Sequence, residues 1–196
     1  FCLDIAENSA DKAHAKRCAD IAAILTPLVK CYGSEIAVNM TCEAMQVLGG
    51  VGYTKEYPVE QYLRDSKVLT IWEGTSYIHG QDLVNRKMRM GNGQPFLDWM
   101  QDIKATIDAN KLVPGLEKEF SVLEKAFGCM AELKDLYDSW YANNARDLIS
   151  LYAIRTLFVC AQVQVATCLL EQSLIAMGKL QELPEDHFDA AYYKGK

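Results

Sequence analysis

From Leu116 to Trp140, the residues Leu116, Phe120, Leu123, Phe127, Met130, Leu133, Tyr137 and Trp140 place an apolar side chain every three to four positions. That spacing lines one face of an α-helix, whereas a strand would need alternation every two residues. The same period holds upstream in Phe96, Met100, Ile103 and Ile107. It holds again downstream in Leu148, Tyr152, Val159, Val163, Ala166, Leu170 and Met177. Pro114-Gly115 falls between the first two runs, where a helix has to stop. No alternating pattern persists anywhere in the chain. The expected fold class is all-α: an antiparallel helical bundle followed by a second helical segment.

The first half is more broken. Phe1 to Glu7 reads as the tail of a helix. A second helix is expected over Asp20–Tyr32, with Pro27 either kinking it or marking its first turn. Gly33-Ser34 should interrupt, and Ser34 can cap a third helix over Glu35–Leu48, whose Ile36, Met40, Ala44 and Val47 would face a core. Pro58 opens a short helix over Val59–Lys67, and another is expected from Ser76 to Met88. Residues 89–94 (Arg-Met-Gly-Asn-Gly-Gln) have linker composition, so the expected domains are residues 1–90 and 91–196. The tail after Pro184 is acidic and then aromatic (Phe188, Tyr192, Tyr193), and is expected to dock or fray.

Composition narrows the class. A net charge of -6 and a pI near 5.1 argue against a nucleic-acid surface, which would need clustered cations. The Arg86, Lys87 and Arg89 cluster sits where a helix C-terminus favours cations anyway. Seven cysteines at wide spacings, with no CxxC pair and no HExxH, favour reduced thiols over a zinc site or a disulfide framework. A cytoplasmic location is the corresponding expectation. The most apolar run, Leu148 to Leu170, carries Arg155, Gln162 and Gln164, so a core helix is expected there rather than a transmembrane span. The chain starts at Phe1 without a basic and then apolar leader, and is expected to be a fragment or a processed chain.

Two stretches could carry chemistry. In Thr70-Ile71-Trp72-Glu73-Gly74-Thr75-Ser76 a lone carboxylate stands at the mouth of a helix. Burial against Ile71 and Trp72 would disfavour its anion and the helix N-terminus would favour it, a balance suited to a general base near neutral pH. The plainer reading makes Glu73 a first-turn acid and Thr75 the N-cap. In Gly49-Gly50-Val51-Gly52-Tyr53 the first glycine can close a helix, and three glycines in four residues let a backbone approach another group closely. Because they follow a helix and not a strand, they do not make a dinucleotide fingerprint.

Taken together, Gln46-Val47-Leu48-Gly49-Gly50-Val51-Gly52-Tyr53, Tyr57-Pro58-Val59-Glu60-Gln61-Tyr62, Arg64-Asp65 and Ile71-Trp72-Glu73-Gly74-Thr75 resemble the C-terminal helical domain of the flavin-dependent acyl-CoA dehydrogenases. Leu25-Thr26-Pro27-Leu28-Val29-Lys30 with Ser34-Glu35 resembles the branch of larger bacterial enzymes that carry an extra C-terminal helical segment, such as the 3-(methylthio)propanoyl-CoA dehydrogenases. The resemblance is close over Asp20–Met88 and mainly architectural beyond.

It implies that Glu73 is the base removing the α-proton of an acyl-CoA thioester while a hydride leaves the β-carbon for FAD. Gly74 would let the thioester approach the backbone. Thr75, Ser76 and Tyr77 would touch FAD, and Gln46, Val47, Leu48, Gly49 and Gly50 would reach the FAD of a neighbouring subunit in a homodimer or homotetramer. Electron-transfer flavoprotein is the implied electron acceptor, and Arg64 with Asp65 would brace the Glu73 turn as an ion pair. Trp72, Tyr77 and His79 depart from the residues common in that family, and His79 by itself reads as a polar helix-surface residue. The chain alone would bind FAD poorly and turn nothing over. An acyl-CoA oxidase and a non-catalytic helical oligomerisation module are the alternatives.

Overall fold

A computed structural model describes residues 2–184 and 187–195; Phe1, Lys196, and Glu185-Asp186 from the acidic part of the tail, lie outside them. All regular structure among the described residues is helical: α1 (Cys2–Asn8), α2 (Lys12–Leu48), α3 (Val59–Leu69), α4 (Ser76–Asp82), α5 (Gln94–Asn110), α6 (Glu117–Ala142), α7 (Arg146–Leu151), α8 (Ala153–Glu182) and α9 (Ala190–Lys194). They form two compact units. One comprises Phe1–Trp99 with Leu133–Ala161, the other Met100–Glu132 with Gln162–Lys196.

In the first unit α2 is the spine. Asp11 caps it, its carboxylate accepting from the N–H groups of Ala13 and His14 at 2.9 and 3.2 Å. The helix then runs 37 residues without the expected breaks at Pro27 and Gly33-Ser34. The Ser34 hydroxyl does not start a new helix; it donates back to the carbonyls of Lys30 and Cys31 at 2.7 and 2.9 Å. What overrides the local signals is burial: Cys18, Ile21, Ile24, Leu28 and Cys31 share one face and are all under 8% exposed. A buried face stabilises a helix by more than one proline or glycine costs it. The face expected to be core further along is not: Met40 is 66% and Val47 is 87% exposed. There α2 packs on α3 by another edge, where the hydroxyls of Thr41 and Ser66 lie 3.2 Å apart.

Gly49 ends α2 with φ 67°, its N–H donating to the Gln46 carbonyl. A 3₁₀ turn, Gly49–Tyr53, folds back so tightly that a Cβ on Gly52 would sit 2.7 Å from the Met45 carbonyl oxygen. Pro58 precedes α3 as expected. The helix expected over Ser76–Met88 is α4 followed by a π-helical turn, Leu83–Lys87, closed by the Met88 N–H on the Leu83 carbonyl at 2.9 Å. The wider turn leaves the Val84 carbonyl to accept the Tyr141 hydroxyl, and Arg89 lies 5.0 Å from the centre of the Tyr141 ring.

Leu83, Val84 and Met88 fill the core of this unit with Phe96, Trp99, Tyr137, Leu157 and Cys160. The Tyr137 hydroxyl is buried, 2.9 Å from that of Thr156. The helix expected to carry Leu148 and Tyr152 with the later stripe is divided at Tyr152. Leu148 is 41% exposed, and Tyr152 stacks on Trp140 at 5.7 Å.

In the second unit the anticipated stripes are core. Ile103, Ile107, Phe120, Leu123, Met130, Val163 and Leu170 are buried. Ala190 of α9 is buried too, while Phe188 stays 84% exposed. By length and composition alone α2 with the turn after it, and α8, could cross a bilayer, at mean hydropathies of 1.4 and 1.6. Each instead buries a stripe of its apolar residues within the protein.

Candidate functional site

The residues expected to carry chemistry lie on the turn between α3 and α4. α3 stops at buried Thr70, and the Trp72 N–H still reaches back to the Val68 carbonyl at 3.0 Å. The backbone then reverses through two positive-φ residues, Glu73 at 57° and Gly74 at 109°. The second angle is open in practice only to glycine, while the first is uncommon for a long side chain. Thr75 returns to extended backbone as N-cap of α4, and its carbonyl accepts from the His79 N–H at 3.1 Å. Its hydroxyl makes no capping bond.

Glu73 is not packed against its apolar neighbours as the sequence suggested. Ile71 and Trp72 are 58% and 56% exposed, and the Glu73 side chain is 52% exposed. The two residues before it are themselves turned outward, so neither of them closes over the carboxylate.

Instead one face of α2 holds the turn. The Lys30 ammonium donates to Glu73 Oε2 at 2.9 Å. One residue on, the Cys31 thiol lies 3.8 Å from the Ser76 carbonyl, and burial pushes that thiol up from its usual range. A further turn along, the Glu35 carboxylate accepts a hydrogen bond from the Ser76 hydroxyl. On the α4 side the His79 imidazole lies 3.3 Å from where a Gly74 Cβ would stand, so His79 is half-buried packing and not a free surface group. The expected Arg64–Asp65 brace does not form. Arg64 reaches back one turn to Glu60 at 3.0 Å, because residues four apart share a helix face and adjacent ones do not.

Of the residues expected to hold a cofactor, Gln46, Val47, Leu48, Gly49 and Gly50 are exposed at the C-terminal end of α2, and a Cβ on Gly50 would meet nothing. Thr75 and Tyr77 are exposed as well, whereas the Ser76 hydroxyl is turned inward onto Glu35. The two groups do not converge in one chain. Lys30, which touches Glu73, and Gln46 lie on one unbroken helix, sixteen residues apart, which is about 24 Å at the usual rise. Sequence reasoning assigned no role to Lys30 or Glu35. They fall outside any apolar period, and only the motif that contains them set them apart.

Residues 2–88 match the family described as acyl-CoA dehydrogenase, C-terminal domain. Over this segment the chain belongs to the acyl-CoA dehydrogenase family. Across all 196 residues it is 39% identical to a butyryl-CoA dehydrogenase of Syntrophomonas wolfei, of which it covers 32%. It is 28% identical over 187 residues to the broad-specificity linear acyl-CoA dehydrogenase FadE5 of Mycobacterium tuberculosis, covering 93% of this chain and 30% of that one. Over 104 residues it is 36% identical to the 3-methylmercaptopropionyl-CoA dehydrogenase of Ruegeria pomeroyi, covering 53% of this chain and 18% of that one.

The chain thus spans about a third of the length of the curated dehydrogenases it matches most fully. A solved structure titled "Bd2924 apo-form" superposes with a TM-score of 0.53 at 20% identity, over 83% of this chain and 27% of that one. Over that stretch the two chains share the same fold.

Proposed function

We propose that the whole protein is a FAD-dependent acyl-CoA dehydrogenase in which Glu73 removes the α-proton of an acyl-CoA thioester. The observation that carries this reading is the construction of the turn. A carboxylate is held on a left-handed backbone by a lysine from another helix, immediately before a glycine whose φ of 109° strips side-chain bulk from the next peptide unit. A base acting on a weak carbon acid has to be fixed in place before its substrate arrives, and a bare peptide beside it lets a thioester come close.

Bound FAD would accept the hydride released from the β-carbon. The exposed Thr75 hydroxyl, Tyr77, and the open backbone of Gln46–Gly50 suit a large polar cofactor, the latter on a neighbouring copy. Residues 1–90 would then be the family's C-terminal domain and residues 91–196 its helical extension. The exposed apolar residues of α2 (Val29, Met40 and Val47) would be covered by the rest of the protein or by a second copy, as a homodimer or homotetramer requires. Electron-transfer flavoprotein as acceptor, and a reducing cytoplasmic setting for seven unpaired thiols, complete the reading.

The test is Glu73→Gln in the full-length, flavin-loaded protein, with butyryl-CoA as the first substrate because two whole-chain relatives carry that name. Turnover with an artificial acceptor should fall by at least three orders of magnitude while the flavin stays bound. Unchanged turnover would assign the proton to another group. Oxygen uptake in place of acceptor reduction would make the enzyme an acyl-CoA oxidase.

A further inference from the structure

Three contacts from two successive turns of α2 reach the short segment that holds Glu73: Lys30 to the Glu73 carboxylate at 2.9 Å, Cys31 to the Ser76 carbonyl at 3.8 Å, and Glu35 to the Ser76 hydroxyl. The first differs in kind from four other ion pairs of this unit. Lys16–Asp20, Arg64–Glu60, Arg86–Asp82 and Lys134–Asp138 all lie four residues apart on one helix, an arrangement that helical geometry supplies by itself. Lys30 and Glu73 are 43 residues apart on different elements, and Glu73 adopts a left-handed backbone angle uncommon for its side chain.

We propose that Lys30 is a positioning residue for Glu73: its ammonium holds the substrate-free carboxylate in place on its left-handed backbone, so that the base is already aimed when an acyl-CoA arrives. The proposal rests on Glu73 being the base.

The physical case is one of charge and place. The pair is half-exposed, 42% and 52% for the two side chains, so screening by water keeps its part in overall stability small. A hydrogen bond of 2.9 Å from a separate helix still fixes the direction in which the carboxylate points. Lys30 therefore acts on the placement of the base more than on the fold. The groups bonded to or packed on residues 73–76 are Lys30, Cys31 and Glu35 from α2 and His79 from α4, with Lys67 ending α3 just upstream. Lys30 is the cation bonded to the carboxylate itself. The neighbouring Glu35 is already committed to Ser76 and holds the start of α4 in register with it.

The experiment is steady-state kinetics of the full-length, flavin-loaded enzyme with kcat and KM separated. Lys30→Met keeps most of the stem and removes the charge; its kcat should fall about tenfold to a hundredfold, with the KM for butyryl-CoA and the flavin content unchanged. Lys30→Arg should restore most of the lost kcat. A Lys30→Met variant with the wild-type kcat overturns the proposal. Failure of the underlying reading is separate: it would appear as turnover surviving Glu73→Gln, whereas a dead Glu73→Gln beside an unimpaired Lys30→Met removes only the role of Lys30.

Discussion

Among the described non-glycine residues Glu73, Asn92 and Asn144 have positive φ. Asparagine visits that region at little cost because its short amide bonds locally, but glutamate does not. The strain at Glu73 therefore depends on external restraint, which Lys30 and the Ser76 contacts supply. Gly52 is constrained for a different reason: its φ is ordinary, but a Cβ there would press on the Met45 carbonyl at 2.7 Å and on the Leu48 Cβ at 2.9 Å. Gly52→Ala is expected to destabilise the protein by about 1–3 kcal/mol, measured by urea denaturation, because the nearest atom is backbone and cannot swing away. Gly50→Ala, with nothing within 4 Å, serves as the neutral control. Two glycines that look alike in the sequence are thus expected to behave oppositely.

At the level of elements, α8 buries a thiol at Cys160, 1% exposed, and α6 buries the Tyr137 phenol beside it in the same unit. Burial pushes the Cys160 thiol up to about 12 from an ordinary 9.0, and raises Tyr137 as well. Below pH 9 folded and unfolded chains both keep these protons, and the groups add no pH dependence. Above it the unfolded chain releases protons that the folded one retains, so stability is lost as pH climbs from about 9 toward 12. Chemical denaturation at pH 7.5, 9 and 10.5 should show that decline, and Cys160→Ala should flatten it even though the variant starts less stable at pH 7.5. An unchanged alkaline slope in Cys160→Ala would remove the buried thiol as its cause. The existence and type of these helices could be read from the three-to-four spacing alone. Their joints could not: Pro27 and Gly33-Ser34 end nothing, while the chain does break at Tyr152, where no glycine or proline stands. Local signals describe what a segment prefers in isolation, and the buried stripe from Cys18 to Cys31 is worth more than those preferences.

For the molecule as a whole, the exposed half of α2 matters most. Val29 at 70%, Met40 at 66% and Val47 at 87% leave large apolar side chains in water along one helix, more than a solitary helix face normally carries. Val47→Glu with Met40→Glu in the full-length protein is expected to lower the oligomeric state seen by analytical ultracentrifugation, with the far-ultraviolet helical signal retained. An unaltered sedimentation coefficient would assign this face to contacts within one chain. The face also marks the boundary between the two kinds of information. By itself the sequence determined the helical class, the stripes that become core in the second unit, the glycine closing α2, and the segment carrying the lone carboxylate. All of these follow from periodicity or from the conformational range of single residue types, which act over one or two turns. Only the tertiary structure decided that α2 runs unbroken, which of its faces is buried, that Glu73 stands half in solvent, and that Lys30 is the residue that meets it. Those outcomes depend on which distant segments come together, and a contact spanning 43 residues leaves no trace in the local pattern at either end.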